Sequence, residues 1–184
     1  LFKKTLIFDK NKKKVFSIKI RNKYDIITVF EIFGQDFYNI KDLKISDKIA
    51  DIISNITKKN LKPLIIDCGA NIGCSGMYFK KLVDNSAVIN IEPDDNNFLL
   101  LSENCRSADF ENIKSAVSSK EIFFEVINTH DDNRAYKIKR IEVGNKKTVT
   151  IEKIIKYKKS NLKPFLIKFD IEGFEKDVFS ENTN

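Results

Sequence analysis

The stretch Leu64-Ile65-Ile66-Asp67-Cys68-Gly69-Ala70-Asn71-Ile72-Gly73 decides the fold. It joins a short, wholly apolar run to an acidic residue and a glycine-rich turn, ahead of a helical stretch carrying Met77, Tyr78 and Leu82. An apolar run without alternation reads as a strand buried on both faces of a parallel sheet. Three of the six glycines, Gly69, Gly73 and Gly76, fall within eight residues here, where a missing Cβ lets the backbone come close to a ligand. Strand, glycine turn and helix amino end are the parts of a nucleotide-binding crevice.

Outward from this stretch, residues 87–91, 113–117 and 165–169 read as further buried strands alternating with helical segments, which predicts an α/β domain with a central, mostly parallel sheet. The first and last of the four strands share a lead-in, Asn60-Leu61-Lys62-Pro63 and Asn161-Leu162-Lys163-Pro164, where proline bars helix and launches an extended segment. Upstream, the apolar stretches 5–8, 15–20 and 26–33 between Lys/Asn/Asp-rich breaks predict a small antiparallel meander over residues 1–45, packed on a main domain over 46–184. Ser46 stands as a cap before a helix bearing Ile49, Ile52, Ile53 and Ile56. Between Val117 and Pro164, apolar alternation at 122–127 and 148–151 predicts an inserted hairpin or a substrate-facing excursion.

Composition narrows the function classes. With 184 residues, 42% apolar and 32% charged, the balance is that of one soluble globular domain. No run approaches the roughly 18 apolar residues of a membrane span, and no secretory leader is expected. Three cysteines, Cys68, Cys74 and Cys105, without C-x-x-C spacing fit neither a zinc knuckle nor a disulfide scaffold, so a reducing, cytoplasmic setting is expected. The net charge of +7 is nearly all lysine, scattered among acids, and only Arg21, Arg106, Arg134 and Arg140 offer a bidentate fork. The Lys10–Lys14 cluster reads as a solvated hairpin turn, so no nucleic-acid partner is expected. Leu1 at the start, and an end at Asn184 soon after a helix opens, predict a fragment cut at least at the carboxyl end.

Charge also selects among nucleotides. An ionised Asp67 at the turn would repel a dinucleotide's diphosphate, and the glycine register is G-x-x-x-G rather than G-x-G-x-x-G. S-adenosylmethionine has no phosphate and carries an ammonium and a sulfonium that a carboxylate stabilises. The next strand ends in Ile91-Glu92-Pro93, which places a carboxylate where a ribose diol is gripped. The alternative for Glu92 is a carboxylate at the amino end of the following helix.

Three stretches in order, Asp67 to Gly73, Ile91-Glu92-Pro93-Asp94, and Ile167-Lys168-Phe169-Asp170-Ile171-Glu172-Gly173-Phe174-Glu175, resemble the signature of the FkbM-type methyltransferases over roughly residues 60–184. The resemblance implies a Rossmann-like methyltransferase fold and S-adenosylmethionine-dependent O-methylation of a hydroxyl on a sugar or polyketide-like small molecule. It implies further that Gly69, Asn71 and Gly73 line the cofactor, that Glu92 holds the ribose, and that further strands follow the last helix.

Asp170 and Glu172 follow a strand at its carboxyl end, where open α/β sheets bind ligands. Asp170 is expected to border the transfer site as a base, and Glu172 or Glu175 to touch substrate or order the loop. The plainer alternative is ion pairing with Lys168 or Lys176 and capping of the next helix. His130, the single histidine, is a second candidate base, and Arg134 a candidate for an anionic substrate group. No metal site is expected. Two rival classes are a nicotinamide-dependent Rossmann oxidoreductase and a basic nucleic-acid-binding domain whose affinity falls with salt.

Overall fold

The computed structural model describes residues 2–9, 13–40, 43–128 and 136–179. Its elements run β1 (Lys3–Asp9), β2 (Lys14–Ile20), α1 (Lys23–Val29) continuing into a π-type turn (Phe30–Gly34), α2 (Ser46–Lys58), β3 (Lys62–Cys68) and α3 (Cys74–Leu82). They continue with β4 (Ala87–Ile91), α4 (Asp95–Asn104), β5 (Phe110–Ile113), β6 (Phe123–Asn128), β7 (Tyr136–Ile141), α5 (Ile151–Tyr157), β8 (Leu162–Phe169) and α6 (Glu175–Phe179).

Leu64, Ile65 and Ile66 have no solvent exposure because β3 is an inner strand of the parallel sheet β5-β4-β3-β8. Alternate residues of one strand feed opposite cores. Ile65 packs with Val88, Ile72, Phe79 and Leu100, while Leu64, Ile66 and Cys68 pack with Ile89, Ile91, Ile154 and Val178. Helices therefore cover both faces, as a Rossmann-like sheet requires. The chain moves from β3 to β4 to β5 in one direction and then places β8 on the other side of β3. That reversal opens a crevice at the carboxyl ends of β3 and β8.

The twin lead-ins lie side by side. Lys62 N–H donates to Asn161 O at 2.8 Å, and the pairing Leu64↔Pro164 is followed by a register shift that skips Phe165. The amino-terminal hairpin is tied to the same core. β1 and β2 pair antiparallel from Lys3↔Ile20 to Asp9↔Lys14, and Ile18 and Ile20 sit in the cluster that holds Ile65 and Leu100.

Four expectations need correction. Residues 26–33 form helix and π-type turn rather than a third strand. Asn22 caps that helix, accepting from Tyr24 and Asp25 N–H, and Val29, Ile32 and Phe33 face the core at helical spacing while Ile26 and Phe30 are exposed. Ser46 is the first residue of α2, and its predecessor Ile45 provides no side-chain cap. The strand expected at 113–117 lies earlier, at Phe110–Ile113, because the chain turns at Ser115, whose Oγ donates to Lys147 O at 2.7 Å, and Val117 bridges Val149 instead. Within 148–151, Thr150 caps α5 by accepting from Lys153 N–H at 3.1 Å, so that run ends by opening a helix. The inserted hairpin is β6 with β7, paired Phe123↔Ile141 to Asn128↔Tyr136.

Candidate active site

A cavity of about 380 Å³ fills the crevice, within the range of small-ligand sites. Its wall brings together Gly69, Asn71, Glu92, Asp170 and Glu172, adds Tyr38 and Asn97, and takes Tyr136 and Ile138 from β7. Asp67 and Gly73 lie behind the wall. His130 and Arg134 lie outside the described residues.

Glu92 sits at the end of β4, 4% exposed. Its two oxygens accept from separate backbone donors, Oε2 from Asn71 N–H at 2.8 Å and Oε1 from Asp94 N–H at 3.0 Å. Burial pushes its pKa up to about 7, against the opposing pull of those two N–H groups and of the Asn97 side chain. The helix-start role is taken by Asp94, which caps α4 by accepting from Asn96 and Asn97 N–H. Asn71 adopts φ +50°, and its Oδ1 is a buried acceptor on the cavity wall without a hydrogen-bond partner. A buried, unpaired carbonyl oxygen is costly and marks a place for a ligand's donor.

The glycines answer to the protein itself. Gly69, at φ +76°, lies so near the end of β8 that a Cβ would stand 1.9 Å from Asp170 O. At Gly73, the left-handed cap of α3, a Cβ would meet Cys105 Sγ at 2.6 Å and Leu101 Cδ1 at 2.9 Å. Asp170 and Cys105, not a ligand, fill these two spaces.

Asp67 is wholly buried and already partnered. Lys168 Nζ reaches its Oδ1 at 2.9 Å and Ser75 Oγ donates to Oδ2 at 2.5 Å. The same ammonium donates to Gly69 O at 3.0 Å and lies 3.8 Å from Asp170. Burial alone would lower the Lys168 pKa, but Asp67, then Tyr38 and Asp170, more than offset this and push it above the usual lysine range. Asp170 itself is 59% exposed in its side chain, and Tyr38 donates its hydroxyl to Oδ2 at 3.4 Å. Burial foremost pushes the Tyr38 phenol up to about 12, so it stays protonated as a donor. Glu175 Oε1 accepts from Ile171 N–H at 3.1 Å and so orders the loop after β8, leaving Glu172, at φ +54°, exposed at the cavity mouth.

Lys168 is the one cation among the described lining residues, against Glu31, Glu92, Asp170 and Glu172. The three cysteines are buried and free, and burial pushes each thiol well above its usual range, away from nucleophilic use. No group of metal-ligating side chains occurs among the described residues.

The model of the methyltransferase FkbM domain matches residues 67–183, well over half of the chain and including every lining residue just named from β3 onward. The chain belongs to the FkbM methyltransferase domain family. Among solved structures, it is similar to a Staphylococcus aureus protein assigned as a caffeoyl-CoA O-methyltransferase, at 16% identity and TM-score 0.27, over 50% of this chain and 44% of that one. It is also similar to the plantazolicin methyltransferase BpumL in complex with SAH, at 13% identity and TM-score 0.27, over 50% and 42%. The chain thus aligns with less than half the length of either. No curated protein matches it in sequence.

Two side chains at this site, Tyr38 and Asn97, escape a reading of the sequence, and Lys168, read there as an ion-pair partner of Asp170, also pairs with Asp67. Lys168 stands inside the most specific motif, where its spacing from Asp170 is the available signal. Tyr38 and Asn97 carry none, since their roles depend on partners 132 residues and 76 residues away.

Proposed function

We propose that the chain binds S-adenosylmethionine across the β3–β8 crevice and transfers its methyl group to a hydroxyl of a sugar or other small metabolite. The observation that carries the reading is Glu92: a carboxylate held by two backbone N–H groups at the end of β4, beside the unpartnered Asn71 Oδ1. With the Asn97 side chain also on this carboxylate, one lone-pair site of Glu92 remains for a ribose hydroxyl, and Asn71 Oδ1 accepts one further donor. When bound, S-adenosylmethionine supplies an electrophilic methyl group whose transfer leaves a neutral thioether.

The carboxylate-lined wall favours a cationic cofactor and opposes a diphosphate. Asp67 contributes indirectly, because its charge is spent on Lys168, and the glycine spaces a pyrophosphate would enter are filled by Asp170 and Cys105. These two features speak against the nicotinamide reading more directly than the charge of Asp67 does. Asp170 takes the proton of the attacking hydroxyl, and the Tyr38 hydroxyl steadies its carboxylate. Glu172 at the mouth meets the acceptor. His130 as an alternative base and Arg134 as an anion partner keep their place as proposals. No helix among the described residues is long and apolar enough to cross a membrane, and three unpaired cysteines suit a cytoplasmic setting.

Calorimetric titration with S-adenosylhomocysteine and with NAD tests the reading. Binding of the former alone, weakened tenfold or more by Glu92→Ala, is the expected result, since that change removes charge-assisted hydrogen bonds. Binding of NAD in preference, or indifference to Glu92→Ala, would sink it.

A further inference from the structure

Asn97 lies on the cavity wall, 2% exposed, and its carboxamide has one accepting and one donating end. A guanidinium only donates. Arg21 Nη2 donates to Asn97 Oδ1 at 2.7 Å, which commits the oxygen to Arg21 and leaves the amide NH2 for Glu92, to which Asn97 hydrogen-bonds. Arg21 is itself held by a two-point pair with Asp25, Nε to Oδ2 at 3.1 Å and Nη2 to Oδ1 at 3.0 Å, and Asp25 is wholly buried. Arg21 and Asp25 stand upstream of the family match and do not line the cavity.

Resting on the cofactor reading above, we infer that Arg21 is a positioning residue for cofactor binding: by orienting the Asn97 amide it holds a third donor on the Glu92 carboxylate. The amino-terminal segment thereby helps set affinity at a site built by the family domain. Glu92 is met by Asp94 at the start of α4, Asn71 after β3 and the Asn97 side chain, while Tyr136 on β7 interacts with Glu92 and Asp94 and also with Arg21 and Asp25. Of the donors around this carboxylate, the Asn97 amide is the one whose orientation depends on Arg21. Losing it disfavours ionised Glu92, so affinity falls near neutral pH and recovers as the pH rises.

The test is calorimetric titration with S-adenosylhomocysteine from about pH 6 to 9 on the wild type, Arg21→Gln, Asn97→Ala and the double variant. Because Arg21→Gln takes the guanidinium away from the buried Asp25, Arg21→Gln/Asp25→Asn is measured beside it, with thermal melts to establish folding. The expected result is roughly three- to tenfold weaker binding near pH 7 for both Arg21 variants, the size of a charge-assisted hydrogen bond, with affinity approaching wild type near pH 9. In the Asn97→Ala background Arg21→Gln should add nothing. A loss equal at every pH, or one that adds to Asn97→Ala, would overturn the inference. A folded wild type that binds no S-adenosylhomocysteine at any pH would overturn the cofactor reading beneath it.

Discussion

Gly69 and Gly173 both hold positive φ, +76° and +91°, yet their surroundings differ completely. A Cβ added at Gly173 would meet nothing within 4 Å, so Gly173→Ala should cost only the left-handed backbone penalty, about 1–2 kcal/mol. Gly69→Ala would drive a methyl into Asp170 O and should cost about 3 kcal/mol or more, with β8 displaced; urea denaturation of the two variants checks the contrast. The Lys168–Asp67 pair sets a second expectation. Lys168→Met strands a fully buried carboxylate and should lose about 3–5 kcal/mol, of which Lys168→Met/Asp67→Asn should recover part in the same assay. Glu92 sets a third. Its folded pKa of about 7 exceeds the ordinary 4.5, so the folded state binds more protons between these values. The Glu92 contribution is therefore fully present below about pH 4.5 and is lost as the pH rises through 7, by at most about 3 kcal/mol, whereas cofactor affinity should rise over the same window. Glu92→Ala should flatten that share of the pH–stability curve.

Helix starts separate what local sequence can do from what tertiary context decides. Asp94 caps α4 with two backbone N–H groups, so Asp94→Ala should cost about 1 kcal/mol, while Ser46→Ala should change stability by less than about 0.5 kcal/mol because Ser46 caps nothing; thermal melts resolve the difference. Ser46 is the right residue type before the right periodicity, but one residue too late, as helix ends commonly fall. Strands β3, β4 and β8 are legible because each carries a short, largely apolar run, buried on both faces in β3, and proline marks where two of them begin. Residues 26–33 are not, since a stretch of Ile, Val and Phe interrupted only by Thr28 and Glu31 satisfies strand propensity as readily as a helix packed on one face. At the site, Gly69, Asn71, Glu92 and Asp170 are legible as a set because each follows or ends a strand at the same edge of the sheet. Asp67 is legible by location but not by partner, because Lys168 lies 101 residues away on the neighbouring strand and only the β3–β8 pairing joins them.

The molecule as described shares one core between its amino-terminal hairpin and its parallel sheet. Ile18, Ile20 and Ile32 pack in the cluster of Ile65, Val88 and Leu100, and Asn104 Nδ2 donates to both Lys19 O and Ile72 O, at 3.1 and 2.9 Å. Heat should therefore unfold the whole in a single transition, with calorimetric and van't Hoff enthalpies equal; two resolved transitions would mean that the hairpin is an independent unit. This continuity matters for the crevice, because the same amino-terminal segment supplies Tyr38 to its wall and, behind the wall, Arg21 to the Asn97 side chain. Acids and one engaged lysine line the crevice, which suits a cationic cofactor and an uncharged acceptor. The most direct test is a crystal structure of the chain with S-adenosylhomocysteine. A ribose hydroxyl should lie within hydrogen-bond distance of the Glu92 carboxylate, with a donor of the ligand on Asn71 Oδ1 and Asp170 facing the sulfur side. A ligand seated elsewhere, or one whose ribose turns away from Glu92, would contradict the assignment of the β3–β8 crevice as the cofactor site.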